Sequence, residues 1–179
     1  MNQKQLLDGK RLAQTITRIS HEIIEKNTTP KDVVLIGIHR RGVPIAIRIQ
    51  NQINSITQIE IPIGTVDITF HRDDFRERLV IPQMRGTEIP FTLDGKIVVL
   101  VDDVLFTGRT IRAAMDVLNA FGRASAIQLA VLVDRGHREV PIRADFVGKN
   151  IPTHEGEHVS VLIQEVDDKD AVILIWGDE

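Results

Sequence analysis

The chain has 179 residues, 42% of them hydrophobic, which is enough for one domain with a sizeable core. It contains no cysteine, which excludes disulfides, thiol catalysis and zinc–thiolate sites. A formal net charge of −3 argues against a uniformly basic coat for nucleic acid, although one basic face stays open. No apolar run approaches membrane-spanning length and the first residues lack a signal-peptide pattern, so we expect a cytoplasmic protein.

The first half alternates between helical and strand-like patterns. Apolar residues at helical spacing predict a helix over residues 8–26, and a β-branched run predicts a buried strand over 33–38. After the turn at 39–42, Pro44 suits the first turn of another helix. Residues 56–68 look strand-like, and the polar, charged stretch at about 70–92 predicts a long functional loop.

The second half continues this alternation. Residues 96–101 and 126–133 predict buried strands, with a helix over 109–121 between them that Gly122 ends. Residues 159–166 and 171–176 predict terminal strands. The pattern predicts an α/β fold in one domain, residues 1–179, with a mostly parallel twisted sheet and helices on both faces. Ligands in such sheets bind beyond the carboxyl ends of the strands, where the turns at 39–42, 102–110 and 134–137 lie.

The segment at 98–110, VVLVDDVLFTGRT, offers groups for both halves of a sugar phosphate. Its adjacent carboxylates repel each other, and ribose hydroxyls with a nearby Mg²⁺ would compensate them. Its turn offers N–H groups, hydroxyls and a helix N-terminus to a phosphate. An Asp pair that merely caps a helix is the plainer alternative. The candidate ligand residues are Asp102, Asp103, Val104, Leu105, Phe106, Thr107, Gly108, Arg109 and Thr110.

The turn at 37–42, GIHRRG, carries two adjacent arginines. Its glycine spacing is that of a P-loop, but Val43 and Pro44 stand where that motif needs Lys and Ser or Thr. Guanidinium groups suit phosphate oxygens, so Arg40 and Arg41 are candidate phosphate ligands. A solvated basic turn is the alternative, and the position at a predicted strand end favours the ligand.

Residues 98–110 resemble the phosphoribosyl-pyrophosphate motif of the type I phosphoribosyltransferases. The resemblance covers nearly the full chain. Residues 17–22, 129–138 and 141–152 are similar to a subfamily that combines pyrimidine-operon attenuation with uracil phosphoribosyltransferase activity. It implies that fold with a small hood, Mg²⁺ with phosphoribosyl pyrophosphate, and conversion of uracil to UMP and diphosphate. A homodimer or a dimer of dimers is also implied.

The resemblance implies roles in catalysis for three of these residues, Asp102, Asp103 and Arg41. The turn with Arg40 and Arg41 would hold pyrophosphate. The loop at about 70–92 would be a flexible lid that excludes water from the reaction, and Arg72 and Asp73 are singled out within it.

The resemblance also places Arg135 and Val159 at the nucleobase. A surface ion pair is the alternative for Arg135, and an ordinary strand position is the alternative for Val159.

The resemblance further implies UMP-dependent binding to leader mRNA, which would promote transcription termination. The implied RNA contacts are Thr17, Arg18, His21, Arg138 and Arg143; from the residues alone, a solvated surface fits them as well. Two other functions stay open. One is an RNA-binding regulator whose inactive site senses nucleotide, and the other is a purine phosphoribosyltransferase without an RNA role.

Overall fold

The fold contains two β-sheets within residues 2–68 and 86–177, the part of the chain that the computed structural model describes. In chain order, the elements are β1 (Asn2–Leu7), α1 (Gly9–Lys26), β2 (Val33–Ile38), α2 (Gly42–Thr57), β3 (Ile63–Val66), β4 (Ile97–Leu105), α3 (Arg109–Leu118), β5 (Ala126–Asp134), β6 (Phe146–Asn150), β7 (Glu157–Leu162), α4 (Gln164–Asp167) and β8 (Ala171–Trp176). A five-stranded sheet has the order β3-β2-β4-β5-β6, and all of its pairings are parallel. The predicted parallel α/β sheet is therefore confirmed.

Alternate side chains of the parallel sheet enter two different cores, because successive residues of a strand point to opposite faces. Leu35 and Val99 belong to the core that includes α1 and α2. Ile36 and Leu100 belong to the core that includes α3. Both faces of the sheet are therefore covered by helices, as predicted.

A second, antiparallel sheet of β1, β8 and β7 forms, together with α4, the part of the molecule that we call the hood. Its buried side chains Leu7, Val161, Ile163 and Val172 join the same core as α1 and α2. The terminal strand predicted over 159–166 is wrong in its second half, because β7 ends at Leu162 and α4 follows. The sequence pattern also missed β1, which pairs with β8.

Three further boundaries differ from the predictions. The strand-like stretch at 56–68 begins inside α2, and only Ile63–Val66 is a strand. The helix predicted over 109–121 ends at Leu118 and continues as a 3-10 turn, Asn119–Phe121. β6 was not predicted, since its sequence FVGKN is short and only partly apolar. The end of α2 is set by local backbone, since Gln58 follows it with a φ of +58°.

The predicted lid falls largely outside the described residues, and Arg72 and Asp73 lie there. Its last part, 86–92, is anchored to the parallel sheet. Thr65 and Glu88 exchange two backbone hydrogen bonds of 2.8 and 2.9 Å in an antiparallel bridge next to β3. Within the described residues, no helix has the length and apolar character needed to cross a membrane.

Candidate functional site

The site is built where β2, β4 and β5 end, because parallel neighbours bring their carboxyl-terminal turns to one edge of the sheet. Gly42, the first residue of α2, makes this close approach possible. A Cβ on Gly42 would lie 2.3 Å from the carbonyl oxygen of Val101, so only glycine fits without a backbone shift. The turn with Arg40 and Arg41 is thereby held against the strand that carries Asp102.

Asp102 and Asp103 lie within β4, which continues to Leu105, and not beyond the strand end as predicted. Asp102 is only 7% exposed. Its Oδ1 accepts a hydrogen bond of 2.9 Å from the backbone N–H of Asp103, whose own Oδ1 accepts one of 2.8 Å from the N–H of Val104. The carboxylates thus bind backbone in place of any capping role at α3.

The two carboxyl groups resist ionising together. Burial raises the pKa of Asp102 well above its ordinary value, and the charge of Asp103 raises it further. Burial also raises the pKa of Asp103, although the N–H of Val104 and the charge of Arg41 oppose the shift. A cationic or hydroxyl-bearing ligand would therefore be stabilised beside this pair.

The turn between β4 and α3 is shaped by Gly108, which precedes the helix with a φ of +88°. A Cβ there would lie 2.6 Å from Val140 Cγ2, so glycine is required both by conformation and by space. The Thr107 carbonyl accepts hydrogen bonds of 3.0 and 3.2 Å from the N–H groups of Glu139 and Val140. Thr107 Oγ1 accepts one of 3.3 Å from the N–H of Arg109. The turn is thus supported from behind by the loop that follows β5.

Arg41 reaches the hood from the other side of the site. Its Nε and Nη2 donate hydrogen bonds of 2.9 and 2.7 Å to the two carboxylate oxygens of Asp167. This fork holds the pKa of Asp167 at about 2 and raises the pKa of Arg41. The neighbouring Arg40 is exposed, and the peptide bond between His39 and Arg40 is cis.

Arg135 is buried, with 8% exposure, so the surface-ion-pair alternative is wrong. Its guanidinium donates to Thr153 Oγ1 at 3.2 Å and to the Glu157 carbonyl at 2.8 Å. It also stacks on the ring of Phe106, with 4.0 Å between Cζ and the ring centroid. Burial lowers the pKa of Arg135, and the charge of Glu157 opposes this shift.

Val159 lies on β7, two residues after the Glu157 carbonyl that Arg135 binds. Its side chain is partly buried and packs against the core of α1 and α2. The structure therefore brings the two predicted nucleobase residues to neighbouring positions, and Phe106, which is 40% exposed, joins them. The ordinary strand position expected for Val159 is also present, since β7 pairs with β8 there.

The predicted RNA contacts on α1 lie beside β6. Thr17 is partly buried and His21 is exposed. Arg18 donates to Glu22 at 2.6 Å and to the carbonyls of Val147 and Gly148, so it also fastens α1 to the edge of the sheet.

The other two predicted RNA contacts differ from each other. Arg138 is turned inward, and donates to the carbonyls of Phe106, Gly136 and Ile142 and to the Asp134 carboxylate. Arg143 is exposed. Both line a cavity of about 500 Å³, with Asp134, Gly136, Ile142, Asn150 and Pro152 as the other lining residues.

Among residues 2–68 and 86–177, no group of three or more His, Cys, Asp or Glu side chains could hold a metal ion. Asp102 and Asp103 provide two adjacent carboxylates at the sheet edge. Mg²⁺ characteristically binds one or two carboxylates together with substrate phosphates, and this pair fits that mode.

The family model for the phosphoribosyl transferase domain matches residues 2–165. The chain belongs to the phosphoribosyltransferase family. Curated relatives in this family carry the name Bifunctional protein PyrR. The relative from Roseiflexus is 54% identical over 93% of this chain and 91% of its own length. The relative from Clostridioides difficile is 54% identical over 95% and 96%, and that from Thermus thermophilus 53% over 98% and 96%.

Solved phosphoribosyltransferases share the fold at low identity. A hypoxanthine phosphoribosyltransferase from Staphylococcus aureus superposes with a TM-score of 0.71 at 17% identity, over 97% of this chain and 92% of that one. A mutant hypoxanthine phosphoribosyltransferase from Trypanosoma cruzi gives 0.74 at 17%, over 96% and 95%. The family resemblance and the fold class predicted from the sequence are thereby confirmed.

Sequence reasoning missed several partners in this phosphoribosyltransferase site. Asp167, Thr153 and Glu157 lie in the hood or in the segment before it, and no motif marks them. The fork between Arg41 and Asp167 joins residues 126 positions apart. These contacts arise only when the hood packs on the sheet.

Proposed function

We propose that this chain transfers the phosphoribosyl group of phosphoribosyl pyrophosphate to uracil, and that it binds pyrimidine-operon leader RNA under control of the product UMP. One observation carries the proposal. The adjacent pair of buried Asp102 and partly buried Asp103 lies between the turn of Gly108 and the turn of Arg40 and Arg41, at one edge of the parallel sheet. The relatives named as bifunctional support two activities for one chain.

In the proposed reaction, Asp102 and Asp103 accept hydrogen bonds from the ribose hydroxyls. Loss of pyrophosphate leaves positive charge on the ribose ring, and two nearby carboxylates stabilise that oxocarbenium-like state. Burial raises both pKa values, so positive charge placed beside the pair would favour its ionised form. The reaction needs no protein nucleophile, which agrees with a chain that has no cysteine.

The two ends of the substrate would be held by the two flanking turns. Thr107, Gly108 and Thr110 surround the start of α3, where hydroxyls and backbone N–H groups bind the 5′-phosphate. Arg40 and Arg41 bind the pyrophosphate group. Asp102 or Asp103 would hold a substrate-bound Mg²⁺, which would help to neutralise the charge of the leaving pyrophosphate.

The nucleobase would lie beside the cluster of Arg135, Phe106 and β7. The Arg135 guanidinium makes its hydrogen bonds to Thr153 and Glu157 with neutral oxygens. It therefore keeps a positive potential that a uracil carbonyl can satisfy. Val159 offers the apolar contact on the neighbouring strand.

The enzymatic half is tested by uracil-dependent release of pyrophosphate. The variant Asp102→Asn with Asp103→Asn should lose turnover, whereas Asp116→Asn, on the exposed face of α3, should keep it. Near-normal UMP formation by the double variant would sink the assignment of the carboxylates. Preference for hypoxanthine over uracil in competition would instead make the chain a purine phosphoribosyltransferase.

The regulatory half is tested by a gel-shift with leader RNA, with and without UMP. UMP should tighten binding, and Arg143→Ala or His21→Ala should weaken it, because both side chains are exposed. Arg138→Ala should act through the Gly108 turn that Arg138 supports, and so reduce turnover as well. The proposal would be refuted if neither UMP nor either surface variant changed the affinity for RNA. Normal RNA binding with no turnover would leave a nucleotide-sensing regulator.

A further inference from the structure

The hood carboxylate of Asp167 holds the arginine that we assign to pyrophosphate. Arg41 immediately precedes α2 and is 34% exposed at its side chain, and Asp167, the last residue of α4, is 15% exposed. We infer that Asp167 is a positioning residue that orients the Arg41 guanidinium for pyrophosphate and thereby couples the hood to that subsite. The inference rests on the proposed transferase function.

Asp167 is itself held in place by the hood backbone. Its Oδ2 accepts a hydrogen bond of 2.9 Å from the N–H of Ile163, in addition to that from Arg41 Nε. Ile163 is fully buried and directly follows β7. The chain of contacts therefore runs from the pyrophosphate turn, through Arg41 and Asp167, to the strand that carries Val159.

A second fork lies farther along the same face of α2. Arg48 is seven residues after Arg41, which is two helical turns and roughly 10 Å. It donates to Asp170 from Nη1 and Nη2, at 2.9 Å each, and also to Glu165. Asp170 Oδ1 accepts a hydrogen bond of 2.8 Å from the N–H of Gln164. Asp167 and Asp170 are thus alike, since each joins one arginine, Arg41 before α2 or Arg48 within it, to one backbone N–H at the start of α4.

The position of Arg41 distinguishes the first fork from the second. Arg41 directly precedes Gly42, which lies against Asp102, and its charge acts on the pKa of Asp103 as well as on that of Asp167. The fork uses Nε and Nη2 and does not involve Nη1. A planar guanidinium held along one edge loses less conformational freedom when its remaining donors bind a phosphate oxygen. Asp167 therefore favours binding of the group at the pyrophosphate subsite.

The test compares Asp167→Asn with the matched control Asp170→Asn. Either asparagine can still accept its backbone N–H, but it loses the charge that holds the arginine. Asp167→Asn should raise the KM for phosphoribosyl pyrophosphate about tenfold, with the KM for uracil nearly unchanged. Asp170→Asn should leave both within about twofold, because Glu165 still binds Arg48. Asp167→Glu, which restores the charge, should recover part of the loss.

A double-mutant cycle makes the role of Arg41 explicit. In an Arg41→Ala background, Asp167→Asn should change the KM by less than about twofold, because its partner is gone. Equal effects of the Asp167 and Asp170 variants, or additive effects of Asp167→Asn and Arg41→Ala, would overturn the inference. Calorimetric titration of the wild type with Mg²⁺–pyrophosphate separates the two proposals. If the wild type binds pyrophosphate and turns over but Asp167→Asn has no effect, only the positioning role is refuted. If the wild type neither binds pyrophosphate nor turns over, the transferase function and the positioning role are refuted together.

Discussion

Replacing Asp102 by Asn should make the protein more stable and less active. The carboxyl group is 7% exposed and lies next to Asp103. For a generic separation of about 4 Å and an effective dielectric constant of about 20, two like charges repel by about 4 kcal/mol. Asn keeps an oxygen for the N–H of Asp103, but a neutral acceptor is weaker by about 1 kcal/mol. Because Arg41 already offsets part of the repulsion, the net gain should be about 1–3 kcal/mol near neutral pH.

The stability difference between Asp102→Asn and the wild type should depend on pH in a direction that can be measured. Because the pKa of Asp102 is raised in the folded protein, its ionisation destabilises the fold as the pH rises from its unfolded value, about 4, through its folded value. The advantage of Asn should therefore be largest at neutral pH and should vanish towards about pH 4. Asp134 is the opposite control. Although burial opposes the shift, Arg138 lowers the pKa of Asp134, so Asp134→Asn should destabilise the protein near neutral pH.

Urea unfolding and thermal melting at about pH 7 and about pH 5 measure both variants. The expected gain for Asp102→Asn corresponds to a rise in Tm of roughly 2–12 °C for a protein of this size. Turnover should fall roughly a hundredfold or more, because charge stabilisation at the ribose is removed. A less stable Asp102→Asn protein at neutral pH, or a gain in stability that does not shrink on acidification, would refute the claim that ionisation of Asp102 destabilises the fold.

Three other substitutions test the framework of the site. Gly42→Ala would place its Cβ 2.3 Å from the Val101 carbonyl oxygen, so it should lower the free energy of unfolding by about 1–3 kcal/mol and reduce turnover. The control Gly177→Ala has open space around its Cβ and should change neither quantity in the same urea and turnover assays. Arg138→Ala, which leaves three carbonyls without their donor, should lower stability by about 1–3 kcal/mol in urea unfolding; an unchanged midpoint would contradict its internal role. Arg135→Leu should raise the KM for uracil at least about tenfold in steady-state kinetics, and a selective rise in the KM for phosphoribosyl pyrophosphate would argue against a nucleobase contact.

Much of the fold could be predicted because its signals are local. The β-branched run at 33–38 coincides with β2, and the apolar spacing at 8–26 coincides with α1 and its capping residue Asp8. The elements that were missed or misplaced, β1, β6 and α4, are short or half-exposed. They form because they pair with a neighbouring strand or pack on the hood core. The periodicity within each segment does not indicate these contacts.

Some features of the candidate site could likewise be predicted from local sequence, and others could not. The residue types and the strand–turn–helix order predicted the candidate role of Asp102, Asp103 and the turn at Gly108. In the structure, the parallel sheet places these residues next to the turn at Arg41. The interior position of Arg138 could not be predicted, since a loop arginine shows no periodicity and its acceptors are carbonyls of a distant turn.

The sequence by itself therefore determined the long helices, the central strands, the family and the chemistry at the ends of the strands, because backbone propensities and turn residues act over a few neighbouring positions. Only the tertiary structure decided which charges meet. Arg41 pairs with Asp167, and Arg135 is buried against Thr153, because the hood packs onto the core shared by α1 and α2. That packing is driven by nondirectional apolar burial, which places distant polar groups side by side without any mark in the local sequence.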